Sequence, residues 1–310
     1  MSNNTVSQVS PLRKKKFNKL EKNYVGLFFF LPFFILFCVF TVIPVIVAFI
    51  TSFTNYNMIQ PAKFVGITNF KLLFIDDDIF IIALRNTFTF ALITGPIGYL
   101  MSFVSAWIIN QLKFKTGFAL AFYIPSITSS IAMSVIWMYI FSNDKYGLIN
   151  NFLINMGLIS QPINWTIDPK YIMTVAILIQ IWMSMGNGFL VFLAGLQNMN
   201  KELLESGKID GIKTKFQELQ YIILPTMKPQ LLFGAINAIT GAFGVFDIII
   251  QISGGVFPSP NYAAHTIVAH LYDYAFIRFQ MGYSSAIAVV LFLITFTMGR
   301  VVMRVLRTTD

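Results

Sequence analysis

The chain has 310 residues, of which 56% are hydrophobic and 11% charged, and it carries a formal net charge of +9. An average soluble protein has roughly 25% charged residues, and a globule of this size could not bury so much apolar surface. The composition therefore excludes a soluble enzyme, a disordered regulator and a fibrous repeat, and it indicates a polytopic membrane protein. A single cysteine, Cys38, excludes a disulfide scaffold and a cysteine-based metal site.

Six apolar stretches are long enough to cross a bilayer, which takes about 20 residues in a helix. They lie near 25–53, 82–110, 117–141, 171–197, 229–252 and 282–305. Several contain proline or glycine, which helices tolerate in lipid when neighbouring groups satisfy the backbone. The first stretch is too long for a signal-peptide core and is interpreted as a retained anchor. The sequence therefore predicts an all-α fold with six transmembrane helices.

Most of the 22 lysine and arginine residues lie on one side of these stretches. They are concentrated in the N-terminal tail, the turn between stretches two and three, the loop between four and five, and the C-terminal end. Because basic loops stay in the cytoplasm, both termini are predicted to be cytoplasmic. The predicted organisation is a basic tail at 1–24, a membrane domain at 25–305 containing a cytoplasmic loop at 198–228, and a C-terminal end at 306–310. The positive charge is thus explained by topology, and no nucleic-acid partner is expected.

The loop at 198–228 is long, charged and partly amphipathic. Residues 202–208 favour a helix, Gly211 interrupts it, and apolar residues then recur at helical spacing until Leu224 and Pro225 end the run. Such a helix–glycine–helix piece can offer a compact surface to a soluble partner. The alternative is an ordinary connector that lies on the membrane.

A motif in this loop can be compared with a known signature. The motif consists of Glu205, Ser206, Gly207, Asp210 and Gly211, followed by Ile223, Leu224 and Pro225. It resembles the EAA signature, E-A-A-x-x-D-G, a spacer and I-x-L-P, of permease subunits of binding-protein-dependent ABC importers, and it has the same placement between spans four and five of six. Two departures are the replacement of both alanines by other small residues and a spacer one residue longer than usual.

Further segments resemble the sugar-importer branch of that family. They are SFTNY at 52–56, FVG at 64–66, NF at 69–70, RNT at 85–87, YGLIN at 146–150, FD at 246–247, GG at 254–255 and GYSSA at 282–286, with Pro125 and Trp137 in the third span. The resemblance covers residues from about 24 to 305.

The resemblance implies a type I ABC importer permease fold in the bacterial cytoplasmic membrane. It also implies that the loop forms a coupling helix seated in a cytoplasmic ATPase subunit, where Gly211 permits a sharp bend and Glu205 pairs with a basic group or caps a helix of the loop. The implied partners are a second homologous permease, two ATPase subunits, an extracellular solute-binding protein, the lipid bilayer and a carbohydrate. The chain itself would bind no cofactor, since ATP and Mg²⁺ would bind the ATPase.

The chain is not expected to be an enzyme. Residues 207–214 resemble a phosphate loop only superficially, because three residues rather than four separate the glycines and Ile212 precedes Lys213. His265 and His270 lack acidic or cysteine companions at ligand spacing, so no metal site is expected. Ion-driven carriers usually place several ionisable residues inside their spans, whereas here Asp247 stands alone in the fifth. The alternatives are a self-sufficient carrier or channel for a small polar solute, and a membrane scaffold without transport.

Two spans carry small and polar residues on one helical face, which either pack helices together or line a path. The fifth span carries Asn237, Gly241 and Gly244, with Asp247 on an adjoining face, and the fourth carries Gln180, Ser184 and Asn187, with Trp182 beside them. Neutral amides and an aromatic ring suit hydroxyl-rich solutes such as sugars. In the resembled family the fifth span lines the path, which favours Asn237 among these residues.

Overall fold

The computed structural model describes the backbone of residues 19–254 and 259–307, and their side chains except those at 19–25, 130, 131, 187 and 307. The chain divides into two compact units at Ile50 and Thr51. The predicted basic tail at 1–24 therefore lies largely outside the described residues, as does the end of the chain at 308–310.

The described part of the first unit, from Lys19 onward, is helical. Helix α1 (Lys19–Phe37) continues through a π-helical segment, Cys38–Val42, into α2 (Ile43–Thr51). From Gly26 to Thr51 the helix is apolar on every side, with a mean hydropathy of 3.0 over its most apolar 18 residues. A helix with this all-round apolar surface is typical of a membrane span.

The second unit contains the remaining helices. These are α3 (Thr68–Lys71), α4 (Asp78–Asn110), α5 (Lys115–Ile127), α6 (Ser130–Ile140), α7 (Leu148–Asn155), α8 (Ile172–Ser184), α9 (Asn187–Gln197), α10 (Lys201–Ile209), α11 (Lys215–Glu218), α12 (Leu224–Thr226), α13 (Lys228–Phe243), α14 (Asp247–Ile252), α15 (Ile267–Tyr272) and α16 (Met281–Arg307). The described residues form no strand, only an isolated bridge between Thr54 and Phe64. The predicted all-α fold is confirmed.

Helix α4 lies at the centre of the second unit and packs against α8, α9, α13 and α15. It contributes a buried side chain to each of the four hydrophobic clusters: Phe80, Phe90, Ala91 and Phe103. Its first turn is capped by Asp77, which accepts a hydrogen bond from the Phe80 amide. Burial along its whole length therefore makes α4 the scaffold for the elements around it.

Four helices are long and apolar enough to cross a membrane: Gly26–Thr51, Asp78–Asn110, Ile172–Gln197 and Met281–Leu306. Two bent helix pairs, Lys115–Ile127 with Ala132–Ile140 and Lys215–Thr226 with Lys228–Phe243, reach the same length only if each pair counts as one span. The described chain thus has between four and six candidate spans, and the exact number predicted from hydropathy stays a prediction.

The third and fifth predicted spans are not straight. The third consists of Lys115–Ile127 and Ala132–Ile140, which meet at an angle of 98° because Thr128 and Ser129 adopt extended backbone angles. The fifth was expected to run to residue 252, but its helix α13 ends at Phe243 and a short helix begins again at Asp247.

Candidate functional site

A cavity of about 840 Å³ lies between α4, α5, α8, α9 and α13. Its size falls in the range of sites for small molecules, roughly 300–1,000 Å³. The lining includes Thr94, Gly98, Tyr99, Ser102, Pro125, Ser126, Thr128, Gln180, Met183, Ser184, Gly188, Phe192, Phe233, Asn237, Ala238 and Gly241. None of the described lining side chains is charged.

Four of the residues singled out by helical spacing line this cavity together. Gln180 and Ser184 come from α8, and Asn237 and Gly241 come from α13. The one-turn spacing within each helix places each pair on one face, and the packing of α4 and α9 around both helices joins the two faces at one cavity.

Three other predicted residues are not brought to the cavity. Trp182 points to another side of α8 and makes an edge-on contact with Trp137, with ring centroids 5.0 Å apart. Gly244 ends α13, and Asp247 is exposed at the start of α14, so both lie beyond the helix face that the prediction extended to residue 247. Asn187 begins α9, but its side chain lies outside the described residues.

Helix α4 supplies cavity residues that the sequence reasoning missed. Thr94, Gly98 and Ser102 follow one another at four-residue intervals and line the cavity next to α8. A Cβ atom on Gly98 would collide with the side chain of Ser184, so glycine allows α4 and α8 to approach closely at this level. The four-residue spacing of these small residues in the sequence could have identified this face of α4.

The loop at 198–228 has the predicted helix–glycine–helix form. Asn200 caps α10 by accepting a hydrogen bond from the Glu202 amide at 3.0 Å. Gly211 has φ +98°, in the region that favours glycine, and Thr214 then caps α11 through a capping box with Gln217.

Two expectations about this loop need correction. Glu205 lies exposed inside α10, and the helix caps are made by Asn200 and Thr214 instead, so Glu205 caps neither helix. The second helix does not stop at Pro225 but continues for one more residue, to Thr226, and it includes a π-helical segment, Leu219–Ile223, just before Pro225.

The two halves of the loop pack through Gly207. This residue is buried, and a Cβ atom added to it would collide with the end of the Ile222 side chain. Ser206 and Asp210 stay exposed beside it, and the side chain of Ile209 is 86% exposed. The loop is therefore a folded unit that presents an apolar side chain among polar ones.

A buried polar cluster ties the start of α4 to α15 and α16. Asp77 Oδ2 lies 2.9 Å from His270 Nε2 and accepts a hydrogen bond from the Tyr283 hydroxyl at 2.7 Å. His265 Nε2 lies 3.2 Å from His270 Nδ1, and Tyr274 Oη lies 3.4 Å from Asp77 Oδ2. The two histidines have no acidic companion at ligand spacing in the sequence, but the fold brings Asp77, which is distant in sequence, into contact with His270.

The electrostatics of this cluster follow from its burial. Burial alone would raise the pKa of Asp77, but the hydrogen bonds from His270 and Tyr283 and the Phe80 amide lower it well below the usual value. Burial, and then the neighbouring His270, lower the pKa of His265 from 6.5 to about 3. No group of three or more metal-ligating side chains in the described ranges is arranged to hold a metal ion.

The lowered pKa of His265 predicts a pH-dependent stability. The folded chain keeps His265 neutral down to about pH 3, whereas the unfolded chain takes up a proton below about pH 6.5. Stability from this group is therefore complete above pH 6.5 and decreases as the pH falls towards 3, by at most about 1.4 kcal/mol per pH unit. Thermal melting in detergent between pH 7.5 and 4.5 measures this, and His265→Gln should flatten the profile. An equally steep profile in that variant would contradict the assignment.

The comparisons with known proteins are consistent with one family. The chain is 35% identical over 284 residues to the probable ABC transporter permease protein YesP of Bacillus subtilis (strain 168), covering 90% of each chain. It is 33% identical over 270 residues to the arabinooligosaccharides transport system permease protein AraP of the same organism, covering 85% of this chain and 82% of that protein. No family model matches.

The fold also matches a solved structure. A bacterial ABC transporter involved in the import of the acidic polysaccharide alginate has a chain that superposes with a TM-score of 0.78 at 22% identity, covering 94% of this chain and 98% of that one. At this identity the match shows a shared fold. Together with the sequence relatives, it places the chain among the permease subunits of sugar ABC transporters.

Proposed function

We propose that this permease subunit carries a carbohydrate through the bacterial cytoplasmic membrane by alternating access, driven by ATP that a separate subunit hydrolyses. The observation that carries the proposal is the uncharged cavity between α4, α5, α8, α9 and α13, with hydrogen-bonding side chains in its wall, in a chain 35% identical to an ABC transporter permease. In this proposal the chain crosses the membrane six times. The bent pair Lys115–Ile127 and Ala132–Ile140 is the third span, α13 with α14 is the fifth, and the loop at 198–228 and both termini lie in the cytoplasm.

The cavity is the proposed substrate path. Gln180 and Asn237 supply amide groups to it, and several serine and threonine hydroxyls complete the polar part of the wall. Hydroxyl-rich solutes need such neutral hydrogen-bonding groups, whereas an ion-driven carrier needs ionisable residues in its path. The contents of the wall thus support a carbohydrate moved by an external energy source.

The loop at 198–228 is the proposed site of coupling. Its capped helices and its bend at Gly211 give it a fixed shape, and the 86% exposed Ile209 offers an apolar contact to a partner. We infer that it seats in an ATPase subunit, so that closure of the ATPase pair around ATP and Mg²⁺ moves the loop and the spans that it joins.

The proposed complex has a second homologous permease, two ATPase subunits and an extracellular solute-binding protein. A crystal structure of the alginate transporter contains a periplasmic protein with bound alginate pentasaccharide, and one of its chains superposes on this one with a TM-score of 0.75. The similar fold supports an equivalent docked protein here.

Reconstitution of the complete transporter in liposomes tests the proposal. ATP-driven uptake and ATPase activity are measured with the binding protein and a panel of sugars. Gly211→Pro should reduce uptake at least tenfold, because proline fixes φ near −65° whereas this position needs +98°. Glu205→Ala should reduce it several-fold, while Glu202→Ala, the matched change of an exposed acid in the same helix, should not.

Two results would contradict the proposal. Full uptake by both Glu205→Ala and Gly211→Pro would remove the loop from the coupling mechanism. Uptake by this chain alone, without ATP or partners, would instead identify a self-sufficient carrier.

Substitution of Asn237 tests the path itself. The side chain is exposed to the cavity and its amide is one of two in the described lining. Asn237→Leu should lower uptake about tenfold, because it replaces a hydrogen-bonding wall by an apolar one, while assembly with the partners is unchanged. Asn237→Gln keeps the amide and should lose less. Equal uptake by the wild type and the leucine variant would assign Asn237 to helix packing.

A further inference from the structure

The hydroxyl groups of the cavity wall all act as hydrogen-bond donors to the protein backbone. Each described lining residue with a hydroxyl group donates its proton to a backbone carbonyl at 2.7–3.3 Å. The local pairs are Thr94 to Phe90, Ser126 to Tyr123, Thr128 to Ile124 and Ser184 to Ile181, and the pairs between helices are Tyr99 to Leu231 and Ser102 to Ser184. None of these protons is left for a solute unless the carbonyl contact is given up.

The wall therefore offers mainly acceptors. A hydroxyl oxygen that donates its proton still has lone pairs that accept hydrogen bonds. Among the described lining side chains, the remaining donors are the amides of Gln180 and Asn237, and each amide also brings an acceptor oxygen. Lysine, arginine and histidine, the usual partners of an anion, are absent from the described lining.

This pattern distinguishes between classes of carbohydrate. A sugar hydroxyl donates, so it can pair with the acceptor oxygens of the wall. A carboxylate or sulfonate only accepts, so it would meet acceptor oxygens and would lose its hydration without gaining a positive partner. We propose that the cavity selects uncharged, polyhydroxylated carbohydrates and disfavours acidic ones; this proposal rests on the function proposed above and names its substrate class.

The test measures the chemistry of the wall with reagents of known charge. A single cysteine is placed at the cavity by Ala238→Cys, and the native thiol is removed by Cys38→Ser, in a complete transporter whose partner chains lack cysteine. Three methanethiosulfonates are compared in detergent: hydroxyethyl, which is neutral, sulfonatoethyl, which is anionic, and trimethylammonium-ethyl, which is cationic. Each rate is divided by the rate at Ser160→Cys, an exposed loop position that serves as the matched reference.

The expected result is that the sulfonate reagent reacts at least fivefold more slowly than the neutral reagent after this normalisation. Gln180→Arg in the same background should remove that difference, because it adds a charged donor to the wall, while the neutral reagent shows that the cavity stays open. A difference below fivefold overturns the proposal, as does a cationic rate more than fivefold above the neutral rate, which would indicate a cation-selective wall.

Uptake by the same variants, reconstituted in liposomes, separates the two proposals. If the transporter takes up no carbohydrate, the proposed function fails, whatever the reagent rates are. If it takes up carbohydrate while the sulfonate reagent reacts freely, the selectivity for uncharged sugars fails and the transport function stands.

Discussion

Replacing Asp77 with alanine should lower the free energy of unfolding by about 3–5 kcal/mol, because each buried hydrogen-bond donor left without its acceptor costs roughly 1–3 kcal/mol. The carboxylate caps α4 through the Phe80 amide and contacts His270 at 2.9 Å and Tyr283 at 2.7 Å. The His270 side chain is 1% exposed and that of Asp77 10%, so water cannot readily replace the lost acceptor. Alanine would leave several buried donors unpaired and would loosen α4 from α15 and α16.

Melting of the detergent-solubilised protein measures this loss. Asp76→Ala is the matched control, because it removes the neighbouring acid, which is exposed, and it should change stability by no more than about 0.5 kcal/mol. Asp77→Asn keeps an acceptor oxygen and should fall between the two. If Asp77→Ala has the same melting temperature as the wild type, the cluster does not hold these helices together.

Hydropathy predicts the position of the apolar segments because the bilayer sets their length, and the helices lie where these segments do. It does not predict how a segment bends. The 98° bend in the third segment lies at Thr128 and Ser129, whereas the visible helix-breaker is Pro125, inside α5. Proline marks a weak point in a helix, but the angle depends on packing against α4, α8 and α9, which no local pattern contains.

Only part of the cavity was predicted, because helical spacing describes one helix at a time. That spacing correctly grouped Gln180 with Ser184 and Asn237 with Gly241. It failed at Asp247, because it assumed that the helix continued beyond Phe243. The helix is interrupted between Gly244 and Phe246, which the spacing did not predict. At this interruption Val245 is buried in the hydrophobic cluster that includes residues of α8 and α14.

Contacts between distant parts of the chain could not be predicted from the sequence. Asp77 and His270 are separated by 193 positions, and nothing in either neighbourhood indicates the other. The EAA-like motif behaves differently: because its residues are close in sequence, its bend at Gly211 and the small residue at Gly207 could both be interpreted before the structure. Local motifs were thus predictable, and the long-range polar cluster was not.

Replacing Gly207 with leucine should reduce ATP-driven uptake at least tenfold if the loop at 198–228 couples the chain to its ATPase. Gly207 is buried where α10 meets the π-helical segment, and a Cβ atom there would touch the ends of the Ile222 and Ile212 side chains. A leucine side chain needs more room than rotation of these two isoleucine side chains can provide. Helix α10 must therefore move away from the second half of the loop. The surface around Ile209 and Asp210 would then lose its shape.

Gly207→Ala is the decisive comparison, because alanine is the usual residue of the signature at this position. Its single methyl group meets only the flexible ends of the isoleucine side chains, which can shift, and alanine favours the helix over glycine by about 1 kcal/mol. Gly207→Ala should therefore transport like the wild type, while Gly207→Leu should fail both in uptake and in co-purification of the ATPase. If the leucine variant keeps its ATPase and its uptake, the packing of α10 on Ile222 does not shape the coupling surface. If both variants fail equally, the bulk of the side chain is not the cause.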